Sequence, residues 1–299
     1  MKTLASLLVL MAQSAALGAG FDINVLTALA SQTKSVEELL ERLPADYKQN
    51  YVLVYDSQSL QKATPLQPRA ILYGRGESGL TLSFSTIMQG GGNSQAVEAM
   101  QFDPRARRFD MFDISYQAPG RAAPVVSKNP KMCLSCHRAD ARPNWAKFDL
   151  WPGVYGSDAF LREDSIERRG YSAFAQTAGA HPRYKHLAGI EPTGRAYFDR
   201  APARRLQEIF SNQNDLRLAR LVAELKGYEK FKYAIAGAVD NAGDIEGYFP
   251  ESLKAGKPRY AQVLEDTYSA IDGFHRYAVK RHMSLLDQPV TDAQIQANP

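Results

Sequence analysis

The strongest constraint on this chain is the position of its only two cysteines, which both lie in the segment Cys133-Leu134-Ser135-Cys136-His137. Two cysteines so close together cannot join distant parts of the chain, so stability must come from a hydrophobic core. A pair with this spacing is compatible with a redox dithiol, half of a zinc site, a short-loop disulfide, or two thioether bonds to a haem.

The residues around the pair favour haem attachment. A zinc site needs two more ligands, and the chain has no second cysteine pair. A thioredoxin-like dithiol is expected at the start of a helix after a buried strand, whereas this pair follows the loop-like run 125–130. His137 comes directly after the second cysteine, where it can lie beneath the iron as the proximal ligand. We therefore predict one covalently attached haem c per chain; a disulfide or a chance match remains the alternative.

The segment resembles the attachment motif of the c-type cytochromes. This resemblance covers residues 133–137 only. The segments Arg142-Pro143-Asn144-Trp145 and Trp151-Pro152-Gly153-Val154-Tyr155-Gly156 also look similar to part of larger bacterial c-haem proteins. The resemblance implies single-electron transfer by a mono-haem protein that exchanges electrons with redox partner proteins.

The first 19 residues are predicted to be a secretory signal peptide. Lys2 precedes an apolar run from Leu4 to Leu17, and small residues follow, with cleavage after Gly18 or nearby. The run is shorter than the about 20 residues that a bilayer requires. No later segment is long and apolar enough to span a membrane. We therefore expect a soluble protein exported to the periplasm, which is also the compartment where haem of this kind is attached.

The charge of the chain argues against a nucleic-acid partner. The formal net charge of +4 becomes +3 without Lys2, and haem propionates would lower it further. Basic clusters occur at 105–108, 168–169 and 204–205. They form either a solvated surface or a docking patch for an acidic redox partner.

Periodicity predicts an α+β fold, with an N-terminal antiparallel sheet in residues 20–116 and a mainly helical, cytochrome c-like haem domain in residues 117–299. Ser35 and Glu38 form a capping box before a short helix that ends at Pro44. Five strands are predicted at 51–55, 70–73, 80–85, 97–102 and 108–114. Residues 117–130 read as a linker. Helices are predicted at 158–168, 204–210, 215–226, 231–239 and 260–286.

Three residues after the motif are candidates for contact with the haem. Arg142 is predicted to bind a propionate, and Trp145 and Trp151 to cover a haem edge, although these aromatic residues could instead simply fill the core.

The sixth iron ligand decides between the possible functions. His181 is the preferred candidate, with the other histidines, a methionine or an open position as alternatives. Two filled axial positions predict an electron carrier. An open position predicts a haem peroxidase or oxidase, or a haem-based sensor.

Overall fold

The structure is a computed structural model. It describes residues 20–57, 59–74, 79–90, 94–103, 105–116, 123–137, 140–143, 151, 153–156, 166–191, 202–207, 209, 210, 213 and 217. The predicted signal peptide and the predicted helices at 231–239 and 260–286 lie outside these residues, as does the helix at 215–226 apart from Arg217. None of the described helices is long and apolar enough to cross a membrane.

The described residues belong to two compact units. The first contains those between 20 and 103, between 110 and 135, and between 153 and 204. The second contains those between 105 and 109, between 136 and 151, and from 205 onward. The prediction that one domain ends at residue 116 stays a prediction.

Most of the described strands belong to one antiparallel sheet. The strands are β1 (Tyr51–Val54), β2 (Gln61–Lys62), β3 (Arg69–Tyr73), β4 (Leu80–Phe84), β5 (Ile87–Met88), β6 (Ala96–Asp103), β7 (Arg108–Ser115) and β8 (Val125–Lys128). Six of them form a sheet in the order β1-β3-β4-β6-β7-β8, and β2 pairs with β5. The α+β class with an N-terminal antiparallel sheet is confirmed. All five predicted strands occur, with ends within one residue of those expected.

The central strand β4 explains how the sheet contributes to the core. Leu82 lies opposite Leu72 of β3 and Ala99 of β6, and all three belong to the main hydrophobic cluster. Thr81 and Ser83, which alternate with these residues, are buried as well. Because β4 has neighbours on both sides and both faces are covered, its burial is continuous rather than alternating.

The sequence prediction of a linker at 117–130 is wrong for its last part. Residues 125–128 form strand β8, which pairs with β7 so that Val126 lies opposite Ile114. The prolines at 124 and 130 suggested a linker, but they flank the strand, where they leave its ladder intact. The β-branched Val125 and Val126 suit the pleated surface between them.

Five helices and one 3-10 turn are described with full bounds: α1 (Ile23–Ala30), α2 (Val36–Arg42), α3 (Ala45–Gln49), α4 (Lys131–His137), α5 (Ile166–Ala178) and the turn Tyr184–His186. The predicted N-cap bond of Ser35 is confirmed, since its hydroxyl accepts from the Glu38 backbone N–H at 3.2 Å. The Glu38 carboxylate accepts from the Lys34 backbone N–H at 2.9 Å. Residues 202–207, 209 and 210 are also helical, which agrees with the helix predicted at 204–210.

Helix α5 extends ten residues beyond the predicted end at residue 168, a difference explained by Gly170. A glycine suggests a helix end in the sequence, but this one allows a close approach inside the helix. A Cβ atom at Gly170 would lie 2.8 Å from both Pro65 Cβ and the Tyr155 hydroxyl. Residues 158–165, the rest of that prediction, lie outside the described residues.

A buried arginine connects three parts of the first unit. Arg183 is 4% exposed, and its Nε donates to Glu37 Oε1 of α2 at 2.6 Å. Its two terminal nitrogens donate to the carbonyls of Ser85 at 2.5 Å and Ser94 at 2.6 Å. This charge is therefore both paired and hydrogen-bonded, as a buried guanidinium must be.

Candidate functional site

The helix that carries the cysteine motif begins at an anchored turn. Asn129 has a φ of 48°, in the left-handed region that asparagine tolerates better than most residues. Its backbone N–H donates to the Met111 carbonyl at 2.7 Å, and its Oδ1 accepts from the Met111 N–H at 2.8 Å. Its Nδ2 donates to Asp110 Oδ1, also at 2.8 Å. These bonds hold the end of β8 against β7 and direct the chain into α4.

Helix α4 places the three residues of the motif on one face. Cys133 precedes Cys136 by three residues and His137 by four, and side chains so spaced are neighbours on a helix surface. Both cysteines are thiols rather than a disulfide. No residue of α4 is buried, and Met132 is 45% exposed. The helix therefore carries two thiols and an imidazole, with Cys136 exposed and Cys133 and His137 half-buried.

The ring of His137 is held by a contact that sets its tautomer. Its Nδ1 lies 2.6 Å from the Arg142 carbonyl oxygen, and the Arg142 N–H donates to the His137 carbonyl at 3.1 Å. A carbonyl oxygen can only accept, so Nδ1 carries the proton. The lone pair of the neutral ring is then on Nε2. Metal-binding histidines are commonly oriented in this way.

The sequence around Arg142 favours this arrangement. Pro143 follows directly, and a residue before proline is restricted to extended backbone. The chain therefore does not continue as a helix beyond this point, and the Arg142 carbonyl is available to a side chain. The residues present thus fit a covalently bound haem, with two thiols for attachment and an imidazole prepared to ligate through Nε2.

The loop between His137 and Arg142 is braced from a distant part of the sequence. Arg217, which is 0% exposed, donates through one terminal nitrogen to Asp140 Oδ2 at 2.7 Å. The same nitrogen lies 3.4 Å from the Asp140 carbonyl. Sequence reasoning did not find this pair, because the two residues are 77 positions apart and nothing in the local pattern connects them.

The other residues predicted to contact the haem are placed only in part. Arg142 is 4% exposed and Trp151 is 6% exposed, so both side chains are buried. Trp145 lies outside the described residues. The propionate contact of Arg142 and the haem-edge role of the two tryptophans stay predictions.

His181 is engaged in a local contact of its own. Its Nδ1 accepts from the Arg183 backbone N–H at 3.1 Å, so in the neutral ring the proton is on Nε2. Its ring lies 4.6 Å from that of Tyr184. Burial, together with the nearby Arg183 guanidinium, lowers the pKa of His181. Ligation of iron through Nε2 would require the loss of the proton on that nitrogen or its transfer to Nδ1. The assignment of His181 as sixth ligand stays a prediction.

Within the part of the chain that the structure describes, no three or more His, Cys, Asp or Glu side chains form a group that could hold a metal ion by themselves. No protein-family model, curated protein or solved structure matches the chain.

Proposed function

We propose that this protein is an exported mono-haem c-type cytochrome that transfers single electrons between redox partner proteins in the periplasm. The observation that carries the proposal is the short contact between His137 Nδ1 and the Arg142 carbonyl at 2.6 Å. It supports a proximal ligand because it leaves the Nε2 lone pair for iron.

Each residue of the site has a distinct role in this proposal. Cys133 and Cys136 bind the two vinyl groups of the haem through sulfur. His137 ligates the iron, and the Arg142 carbonyl orients its ring. Bound haem supplies one-electron exchange between ferric and ferrous iron. The Asp140–Arg217 pair holds the loop that carries the Arg142 carbonyl.

Covalent attachment can be tested on the full chain matured in the periplasm. We expect the denatured wild-type protein to retain one haem, detected by mass and by haem staining after gel electrophoresis. The double variant Cys133→Ala/Cys136→Ala should retain none. Ser135→Ala is the matched control, because this residue lies between the two cysteines and its hydroxyl donates to the Met132 carbonyl of the same helix. Covalent haem in the double variant, or its absence from the wild type, would refute the proposal.

The electron-transfer role can be tested by absorption spectra of the oxidised, reduced, and reduced carbon monoxide-treated protein. A low-spin spectrum that carbon monoxide does not change means that both axial positions are filled, as an electron carrier requires. His181→Ala then tests the sixth ligand, with His186→Ala as the control. A high-spin spectrum that shifts with carbon monoxide would contradict the carrier role and favour a peroxidase, an oxidase or a sensor.

A further inference from the structure

Three buried tyrosines in the first unit form a continuous series of ring contacts. The rings of Tyr55 and Tyr155 have centroids 4.6 Å apart, and those of Tyr155 and Tyr171 are 5.3 Å apart. All three residues are at most 7% exposed. Contacts of this kind are common in cores and are worth about 1 kcal/mol each. The ring series alone therefore indicates packing, and any further role depends on the groups that meet the hydroxyls.

The Tyr55 hydroxyl meets a carboxylate. It donates to Glu167 Oε2 at 3.2 Å, while Glu167 Oε1 accepts from the Gly156 backbone N–H at 2.8 Å. A carboxyl group that accepts on both oxygens has the hydrogen-bond pattern of the ionised form. Glu167 is only 7% exposed and lies in the first turn of α5, where the helix dipole favours a negative charge. It is thus a buried base in direct contact with a phenol.

The neighbouring hydroxyl of Tyr155 has no such base. It donates to the backbone carbonyl of Pro65 at 2.8 Å, and an amide carbonyl does not take up a proton under ordinary conditions. Burial, followed by charge interactions with Tyr55 and with the Glu167 carboxylate, raises the pKa of Tyr155. A phenol that loses one electron becomes a radical cation, which is a strong acid. Its oxidation in a buried site therefore requires a proton acceptor. Of these two tyrosines, Tyr55 is therefore the easier to oxidise.

We propose that Tyr55 and Glu167 form a redox-active tyrosine site, with Tyr155 and Tyr171 as a path for the electron that leaves Tyr55. In the step, Tyr55 loses one electron to a high-potential oxidised metal centre, and its phenolic proton moves to Glu167 Oε2. The products are a neutral Tyr55 phenoxyl radical, a protonated Glu167, and a metal centre reduced by one electron. Return of an electron and of the proton restores the pair. The step uses no residue of the cysteine motif and does not depend on the proposed haem.

The test oxidises the full chain with photogenerated tris(bipyridine)ruthenium(III) and freezes it for electron paramagnetic resonance. We expect a tyrosyl radical in the wild type, and loss of that signal in Tyr55→Phe and in Glu167→Gln. Tyr51→Phe is the matched control and should keep the signal, because the Tyr51 hydroxyl donates to a carbonyl, that of Ala188, at 2.7 Å. An unchanged signal in Tyr55→Phe would overturn the proposal.

Circular dichroism and thermal unfolding establish whether each variant is folded. If Tyr55→Phe and Glu167→Gln do not fold, the proposal is tested on the wild type alone. Its radical is measured by electron–nuclear double resonance after exchange into deuterium oxide. A radical with one exchangeable proton at hydrogen-bond distance from the phenoxyl oxygen is expected from protonated Glu167. A radical without such a proton would overturn the proposal, as would the absence of any tyrosyl radical.

Discussion

Replacing Asp113 by asparagine is expected to stabilise the protein at neutral and alkaline pH and to leave its stability nearly unchanged near pH 4. Asp113 lies on β7, beside strand β6, which carries Glu98. Glu98 remains paired, since Arg69 donates to its Oε2 at 2.8 Å. Burial, and secondly the charge of Glu98, raise the pKa of Asp113 from 3.8 to about 6. The folded protein therefore holds this proton more tightly than the unfolded chain does.

The sign and size of the effect follow from proton linkage. Between pH 3.8 and about 6 the folded state binds more protons at this site than the unfolded state, so stability falls as pH rises through that window. A pKa difference of about 2 corresponds to at most about 3 kcal/mol. Because Asp113 is only partly buried, solvent screening reduces this to about 1–2 kcal/mol. The asparagine side chain in Asp113→Asn would carry no charge, so the variant would avoid this loss of stability at higher pH.

The measurement compares urea unfolding of the wild type and Asp113→Asn at several pH values from 4 to 8. We expect the variant to gain about 1–2 kcal/mol relative to the wild type across this range, most of it below pH 7. Glu191→Gln, at an exposed carboxyl, is the control and should show no such trend. A difference that does not grow between pH 4 and 8 would refute the reasoning.

Three further substitutions test the packing. Arg183→Ala should lower the free energy of unfolding, measured in urea, by about 3–5 kcal/mol, because it leaves a carboxylate and two carbonyls without their buried donor. A loss below about 1 kcal/mol would contradict this. Asn129→Ala should cost about 2–3 kcal/mol in thermal unfolding, since it removes two side-chain hydrogen bonds and places alanine at a φ of 48°. Asn129→Gly, which relieves only the backbone strain, should be less harmful. Gly74→Ala should lower the free energy of unfolding, measured in urea, by about 1–3 kcal/mol, because the new Cβ would lie 2.8 Å from the Tyr47 ring. Gly20→Ala is the control and should leave stability unchanged, because a Cβ there would have nothing within 4 Å.

Several features of the protein could be predicted because they depend on residues close together in the chain. Short runs of aromatic and β-branched residues, several of them alternating with polar residues, indicated five strands. Ser35 and Glu38 indicated the start of α2 through a contact three residues long. The haem chemistry expected of the motif at 133–137 also rests on short-range spacing, and it stays a prediction. The contact of His137 with Arg142 also spans only five residues, but it was not predicted from the sequence.

The parts that could not be predicted depend on partners far apart in the chain. Strand β8 exists because an edge of the sheet offered its hydrogen bonds to residues between two prolines. Helix α5 continues through Gly170, where Pro65 and Tyr155 occupy the space that a side chain would need.

The sequence by itself determined the local elements and the chemistry expected of the attachment motif, because both follow from short-range spacing. The tertiary structure alone decided which charged groups are buried together. Arg217 meets Asp140 across 77 residues, and Glu167 meets Tyr55 across 112. A buried charge must find a partner wherever the folded chain places one, and no periodicity in the sequence records that choice.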